Sequence, residues 1–107
     1  MASNSVYWPG VSGAKYEYFA YPISTPLLAR AGNYIYAKLN QFHQWVPVYI
    51  GETEDLNQRL TTHEKRECVR LNGATHIHAH LTTGLRENRL MEETDLRNNF
   101  VTTCNVQ

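Results

Sequence analysis

Residues 32–51, GNYIYAKLNQFHQWVPVYIG, decide the fold. Asn33 to Leu39 alternates with the two-residue period of a strand. Tyr34, Tyr36 and Lys38 share one face, and Ile35, Ala37 and Leu39 share the other. Asn40 to Trp45 has turn composition. Val46 to Gly51 returns as a second strand, with Val48 and Ile50 expected on one face and Tyr49 on the opposite one. The stretch reads as a hairpin with aromatic residues on its polar side.

Working outward, Lys15 to Ile23 (KYEYFAYPI) reads as a further, aromatic strand ended by Pro22 and Pro26. Residues 1–14 read as an arm or loop, and Leu27 to Ala31 as a short helical turn stopped at Gly32. After the hairpin, Asp55 is a helix N-cap. Leu56 and Leu60 form the inner stripe of that helix, flanked by Arg59 and His63. Helical character resumes from Glu64 to Asn72 and stops at Gly73. Ala74 to Thr82 (ATHIHAHLT) alternates strictly and reads as a strand. Thr82 or Thr83 caps a last helix from about Leu85 to Asn99, before an irregular tail. The expected fold is a small α/β sandwich: a central three-stranded antiparallel or mixed sheet flanked by helices, with an extra N-terminal strand. Residues 1–31 form the arm and extra strand, and 32–107 the main domain, within one compact unit.

The chain has 107 residues, 42% hydrophobic and 19% charged, with a formal net charge of zero. A neutral chain lacks the global basic signature of many nucleic-acid binders, so phosphate contacts would need a local patch. Cys68 and Cys104 fall in no metal-ligand spacing and read as reduced thiols. With no long apolar run and no leader-like N-terminus, the expected setting is cytoplasmic, without membrane contact.

On the last helix, Leu85, Leu96, Arg89, Phe100, Glu93 and Leu90 fall on one arc. Glu93 thus sits among apolar positions, where a carboxylate needs a partner or a cation. An ion pair with Arg89, four residues earlier, is the plain alternative. Glu92 lies at the edge of the arc and Asp95 points away. Arg59 and His63 side by side invite an anion, unless both are simply solvated. Tyr34 and Tyr49 are hydrogen-bonding phenols or ordinary strand packing. His76, His78 and His80 share one side of their strand and read as a partly solvated face. Lys65, Arg66 and Arg70 form a basic patch with interleaved Glu64 and Glu67.

Together these residues resemble the GIY-YIG nuclease family. Gly32-Asn33-Tyr34 and Tyr49-Ile50-Gly51 look like its paired elements. Arg59 stands eight residues after Gly51, and His63 four further on. Arg89 and Glu93 resemble its last-helix motif, and Asn105, twelve after Glu93, its terminal asparagine. Asn33 replaces the usual isoleucine, Thr102 the usual proline, and Glu52 follows the second element where some members are basic. The resemblance implies a Mg²⁺- or Mn²⁺-dependent endonuclease acting on DNA. Glu93 would hold the metal and Tyr34, with His63, would activate water. Arg59 would stabilise phosphoryl charge, Tyr49 would position the nucleophile or phosphate, and Asn105 would support Glu93 or a tyrosine. Tyr36, Lys38, Lys65, Arg66 and Arg70 are the candidate substrate contacts. The alternative is a catalytically silent nucleic-acid-binding module, or an interaction module that dimerises through its aromatic N-terminal strand.

Overall fold

The structure, a computed structural model, describes residues 4–105. The hairpin forms as β3 (Gly32–Leu39) and β4 (Trp45–Thr53). Its turn is held by Asn40, whose Oδ1 accepts from the backbone N–H of Phe42 and of Gln44. Lys15–Pro22 is a strand as expected, β2. The arm is not a loop, because Asn4–Pro9 pairs antiparallel with β2 as β1. The N-terminal segment therefore supplies two strands of one sheet. With His76–Leu81 as β5, the sheet has five antiparallel strands in the order β1-β2-β5-β3-β4, rather than the expected three and an extra.

Three helices pack on this sheet: α1 (Leu56–Thr61), α2 (Arg66–Leu71) and α3 (Arg86–Arg97). Asp55 caps α1, its side chain accepting from the Gln58 N–H. Gly73, at φ +80°, ends α2 as expected, where a left-handed residue suits glycine. Leu27 to Ala31 is not helical. Its carbonyls are used elsewhere: Arg30 and Leu28 accept the N–H groups of Leu56 and Asn57, completing the cap of α1. Neither Thr82 nor Thr83 caps α3. Leu85 is its N-cap residue, without a side-chain bond, and the Thr82 hydroxyl donates to Asn33 instead. Leu85 is exposed and leaves the apolar arc.

The two sheet faces carry separate cores. Tyr34, Tyr36, Val48, Leu56, Val69, Ile77, Ala79 and Cys104 pack on one; Trp8, Tyr18, Ile35, Ala37, Ile50 and Leu96 pack on the other. Val48 and Ile50 therefore lie on opposite faces, contrary to simple alternation. Tyr36 pairs with Tyr49 but Ala37 with Pro47, so Val48 is the extra residue of a β-bulge that breaks the period. The histidine face is partly solvated as expected at His76 and His80, but not at His78. His78 is fully buried, its Nδ1 accepting from Trp8 Nε1 at 3.0 Å, and its ring packs edge-to-face on Trp45.

Cys68 and Cys104 are joined in a disulfide, which corrects the expectation of free thiols and removes the ground it gave for a reducing compartment. The bond ties α2 to the tail. The next residue, Asn105, then grips the outer edge of β4, accepting from the Ile50 N–H at 2.7 Å and donating to the Ile50 carbonyl at 2.9 Å. Among the described residues no helix is long and apolar enough to cross a membrane. The disulfide closes a loop with a sequence separation of 36. Chain entropy assigns such a link about 4 kcal/mol. Replacing both cysteines by serine should lower unfolding free energy by about 2–4 kcal/mol in denaturant titration and speed amide exchange at Ile50.

Candidate functional site

The register of β3 against β4 sets Tyr34 opposite Gly51, and this pairing builds the site. A Cβ on Gly51 would come within 2.6 Å of both Cζ and Oη of Tyr34 and 2.9 Å of the Tyr49 ring. Glycine is needed there so that the two phenols can stack, with ring centroids 6.0 Å apart and planes 23° from parallel. Gly32 has a similar reason: a Cβ would meet the His80 carbonyl at 2.3 Å.

Two nitrogen donors converge on the Tyr34 oxygen. Arg59 Nε, from α1, lies 3.3 Å away. His63 Nε2 lies 2.7 Å away. The histidine tautomer follows from its other nitrogen, which accepts the Lys65 backbone N–H at 2.9 Å. Neutral His63 must then carry its proton on Nε2 and donate it to the phenol. His63 is buried, and lies after the end of α1 rather than on that helix beside Arg59. Burial and the nearby Arg59 charge lower its pKa to about 4, so it stays neutral at pH 7.

Burial pushes the Tyr34 phenol well above its ordinary pKa, reinforced by Tyr49 and opposed by Arg59. The phenol is therefore protonated at rest, although its oxygen faces two donors that would stabilise an oxyanion. Tyr34 is itself fully buried. Arg59 covers it, and the outward end of the guanidinium binds exposed Glu64 at 3.0 Å. Burial lowers the Arg59 pKa, but the phenols and Glu64 outweigh it and keep the group charged. Beside Arg59 opens a cavity of about 580 Å³, lined by Glu52, Asp55, Gln58, Arg59 and Arg86.

Glu93 stands outside this cluster, joined to Tyr34, Tyr49, Arg59 or His63 by no hydrogen bond or ion pair among the described residues. Nor does it pair with Arg89, which is buried and bonded to Glu52 at 3.1 Å. Glu93 is half-buried and makes no hydrogen bond or ion pair among the described residues. Burial raises its pKa, helped by Glu52 and opposed by Arg97 and Arg86. The more deeply buried carboxylate is Glu92, which accepts from Tyr18 Oη at 2.5 Å and bonds His80 Nε2 at 2.6 Å. Asp95 does not point away either, but binds Ser12 and Tyr16. Both corrections share one cause. β2, β5 and the turn between β1 and β2 supply polar partners to that side of α3, a side which pattern alone left to solvent.

The remaining candidates divide. Asn105 contacts Ile50, between Tyr49 and Gly51, and not Glu93. Lys38 is spent on the Asn72 carbonyl at 2.8 Å, and Arg70 on Glu67 at 2.5 Å. Tyr36 is buried against His63, 5.5 Å between rings. Lys65 is half-buried at the α2 N-cap, whereas Arg66 is exposed and makes no ion pair among the described residues. Sequence reasoning missed Glu64 as the partner of Arg59 and Arg86 as a second cation of the cavity. The spacing of Glu64 from Arg59 was the only signal available. Among the described residues no group of three or more His, Cys, Asp or Glu side chains is arranged to hold a metal ion.

Compared with protein-family models, curated proteins and solved structures, the chain matches none.

Two outcomes follow from this geometry. Gly51→Ala should force the tyrosines apart and lower stability by about 1–3 kcal/mol in denaturant titration, as overpacking does. His63 and His78 both have pKa values lowered from 6.5 to about 4 by burial, so each favours the fold while neutral. That stability is fully present above pH 6.5 and is lost as pH falls through about 4. Unfolding free energy should drop by about 2 kcal/mol per histidine between pH 6.5 and 5, and His78→Asn should flatten that slope by roughly half.

Proposed function

We propose that this chain is a phosphodiester hydrolase of the GIY-YIG kind, an endonuclease acting on DNA with Mg²⁺ or Mn²⁺. The observation that carries the reading is the convergence of Arg59 Nε and His63 Nε2 on the Tyr34 oxygen, beside an open cavity. That arrangement suits a phenol that must lose and regain a proton. Deprotonated Tyr34 takes the proton of the attacking water. Its two N–H donors hold the oxyanion, and the proton returns to solvent or to the leaving oxygen. Arg59, already facing the cavity, offsets charge on the phosphoryl oxygens.

The arriving phosphate replaces Glu64 on Arg59. An exposed ion pair is weak and can be exchanged at little cost. The exchange takes place at the outward end of the guanidinium, while Nε stays on the Tyr34 oxygen. Tyr49, stacked on Tyr34, positions water or phosphate. Asn105 and the disulfide hold the Tyr49–Gly51 backbone in register.

Glu93 could take a hard divalent cation: it is a half-buried carboxylate that makes no hydrogen bond or ion pair among the described residues, although the charges of Arg97 and Arg86 act on it as well as that of Glu52. A single carboxylate suffices where water and phosphate oxygens complete the shell. Such an ion would supply Lewis-acid stabilisation of the leaving oxygen. A second reading, a silent nucleic-acid-binding module on the same fold, draws on the full burial of Tyr34 in the resting protein.

Incubation with plasmid DNA and Mg²⁺ or Mn²⁺ separates the two. The parent should nick or linearise the plasmid, whereas Tyr34→Phe, Arg59→Ala and Glu93→Ala should each lose at least a hundredfold. Because the Tyr34 pKa is raised, cleavage should climb up to tenfold per pH unit from neutral into the alkaline range, a slope absent from residual Tyr34→Phe activity. Glu64→Gln should lower KM severalfold with kcat little changed. DNA binding without cleavage under every condition would favour the silent module.

A further inference from the structure

On the other side of α1 from the cavity lies a groove of about 490 Å³, lined by the 23–27 loop, α1, α2 and Tyr36. Its walls are apolar, from Leu27, Leu60, Val69 and Ala74. Its polar lining consists of hydroxyls, one amide and two guanidiniums, Arg66 and Arg70, with no carboxylate. In a chain of zero net charge that is a selective lining. Arg70 is committed to Glu67. Arg66 is not paired among the described residues, and its charge reaches Tyr36, whose phenol pKa it lowers against the larger rise from burial. Tyr36 in turn packs on His63, the donor to Tyr34.

An apolar slot, edged by hydroxyls and topped by one uncommitted guanidinium, is complementary to a flat heterocycle carrying a phosphate. We propose that this groove is a nucleotide subsite: it receives the base of a nucleotide next to the scissile phosphate, and Arg66 binds the flanking phosphate. The choice of ligand rests on the nucleic-acid reading above. The location supports it, since Arg59 and Leu60 are consecutive on α1 and direct their side chains to the cavity and the groove respectively. The groove would thus hold the strand in register with Arg59 and give this small chain a means of engaging an unstacked nucleotide.

The test uses the full chain carrying Tyr34→Phe and Glu93→Ala, so that binding is read without turnover. Thymidine 5′-monophosphate is titrated while the methyl resonances of Leu60, Val69 and Ala74 are followed by NMR. Inorganic phosphate and thymidine are titrated separately. The subsite predicts saturable shifts at these methyls with the nucleotide, and binding about tenfold weaker with Arg66→Ala. Ser24→Trp, which fills the groove from its loop, should abolish the shifts without unfolding the chain. The proposal is overturned if the nucleotide leaves these methyls unmoved, if phosphate alone reproduces the response, or if Arg66→Ala binds equally well. Cleavage of plasmid by the parent without nucleotide shifts would sink the groove and leave the hydrolase. Nucleotide shifts in a parent that never cleaves would retain the groove and reject the hydrolase.

Discussion

The site depends on one oxygen accepting two N–H donors. Tyr34 sits on a central strand, fully buried, and its hydroxyl is met by a guanidinium from α1 and by an imidazole from the loop behind it. Each neighbouring feature serves that arrangement. Gly51 leaves room for the ring, and the Lys65 N–H fixes the His63 tautomer. Asn105 secures the strand that carries Tyr49 and Gly51. Burial alone would make this phenol inert. The Arg59 charge and hydrogen bond oppose the rise in its pKa without cancelling it, and Glu64 binds the outward end of the same guanidinium.

Several elements were legible because their signals are local. The hairpin follows from two-residue alternation, α1 from Asp55 and the end of α2 from Gly73. Arg59 and His63 were selected by spacing and do meet at one atom. What sequence could not supply was long-range pairing. Nothing within residues 1–14 alone specifies that Asn4–Pro9 joins the sheet. Nor does pattern show that β2 and β5 lie beside α3, where Tyr18 and His80 meet Glu92 and Tyr16 and Ser12 meet Asp95. The bulge at Val48 had the same effect on β4, where one inserted residue cancelled the inference of a shared face. The disulfide was missed because the separation of 36 residues says nothing about proximity.

Zero net charge also takes on a different meaning. Acidic groups are distributed as partners of specific cations: Glu64 on Arg59, Glu67 on Arg70 and Glu52 on Arg89. The first two pairs reach the surface, while the Glu52–Arg89 pair is buried. The cavity beside Arg59 is of mixed charge, with Glu52, Glu54 and Asp55 against Arg59 and Arg86, whereas the groove is lined by Arg66 and Arg70 without a carboxylate.

The central claim is that His63 is neutral and protonated on Nε2, because that tautomer makes it the second donor to Tyr34 while Nδ1 accepts from Lys65. Side-chain ¹⁵N NMR across a pH titration measures both directly. The account predicts a neutral ring protonated on Nε2, with Nδ1 unprotonated, that does not titrate until pH falls toward about 4. A ring protonated on Nδ1, or one titrating near its ordinary value of 6.5, would contradict it.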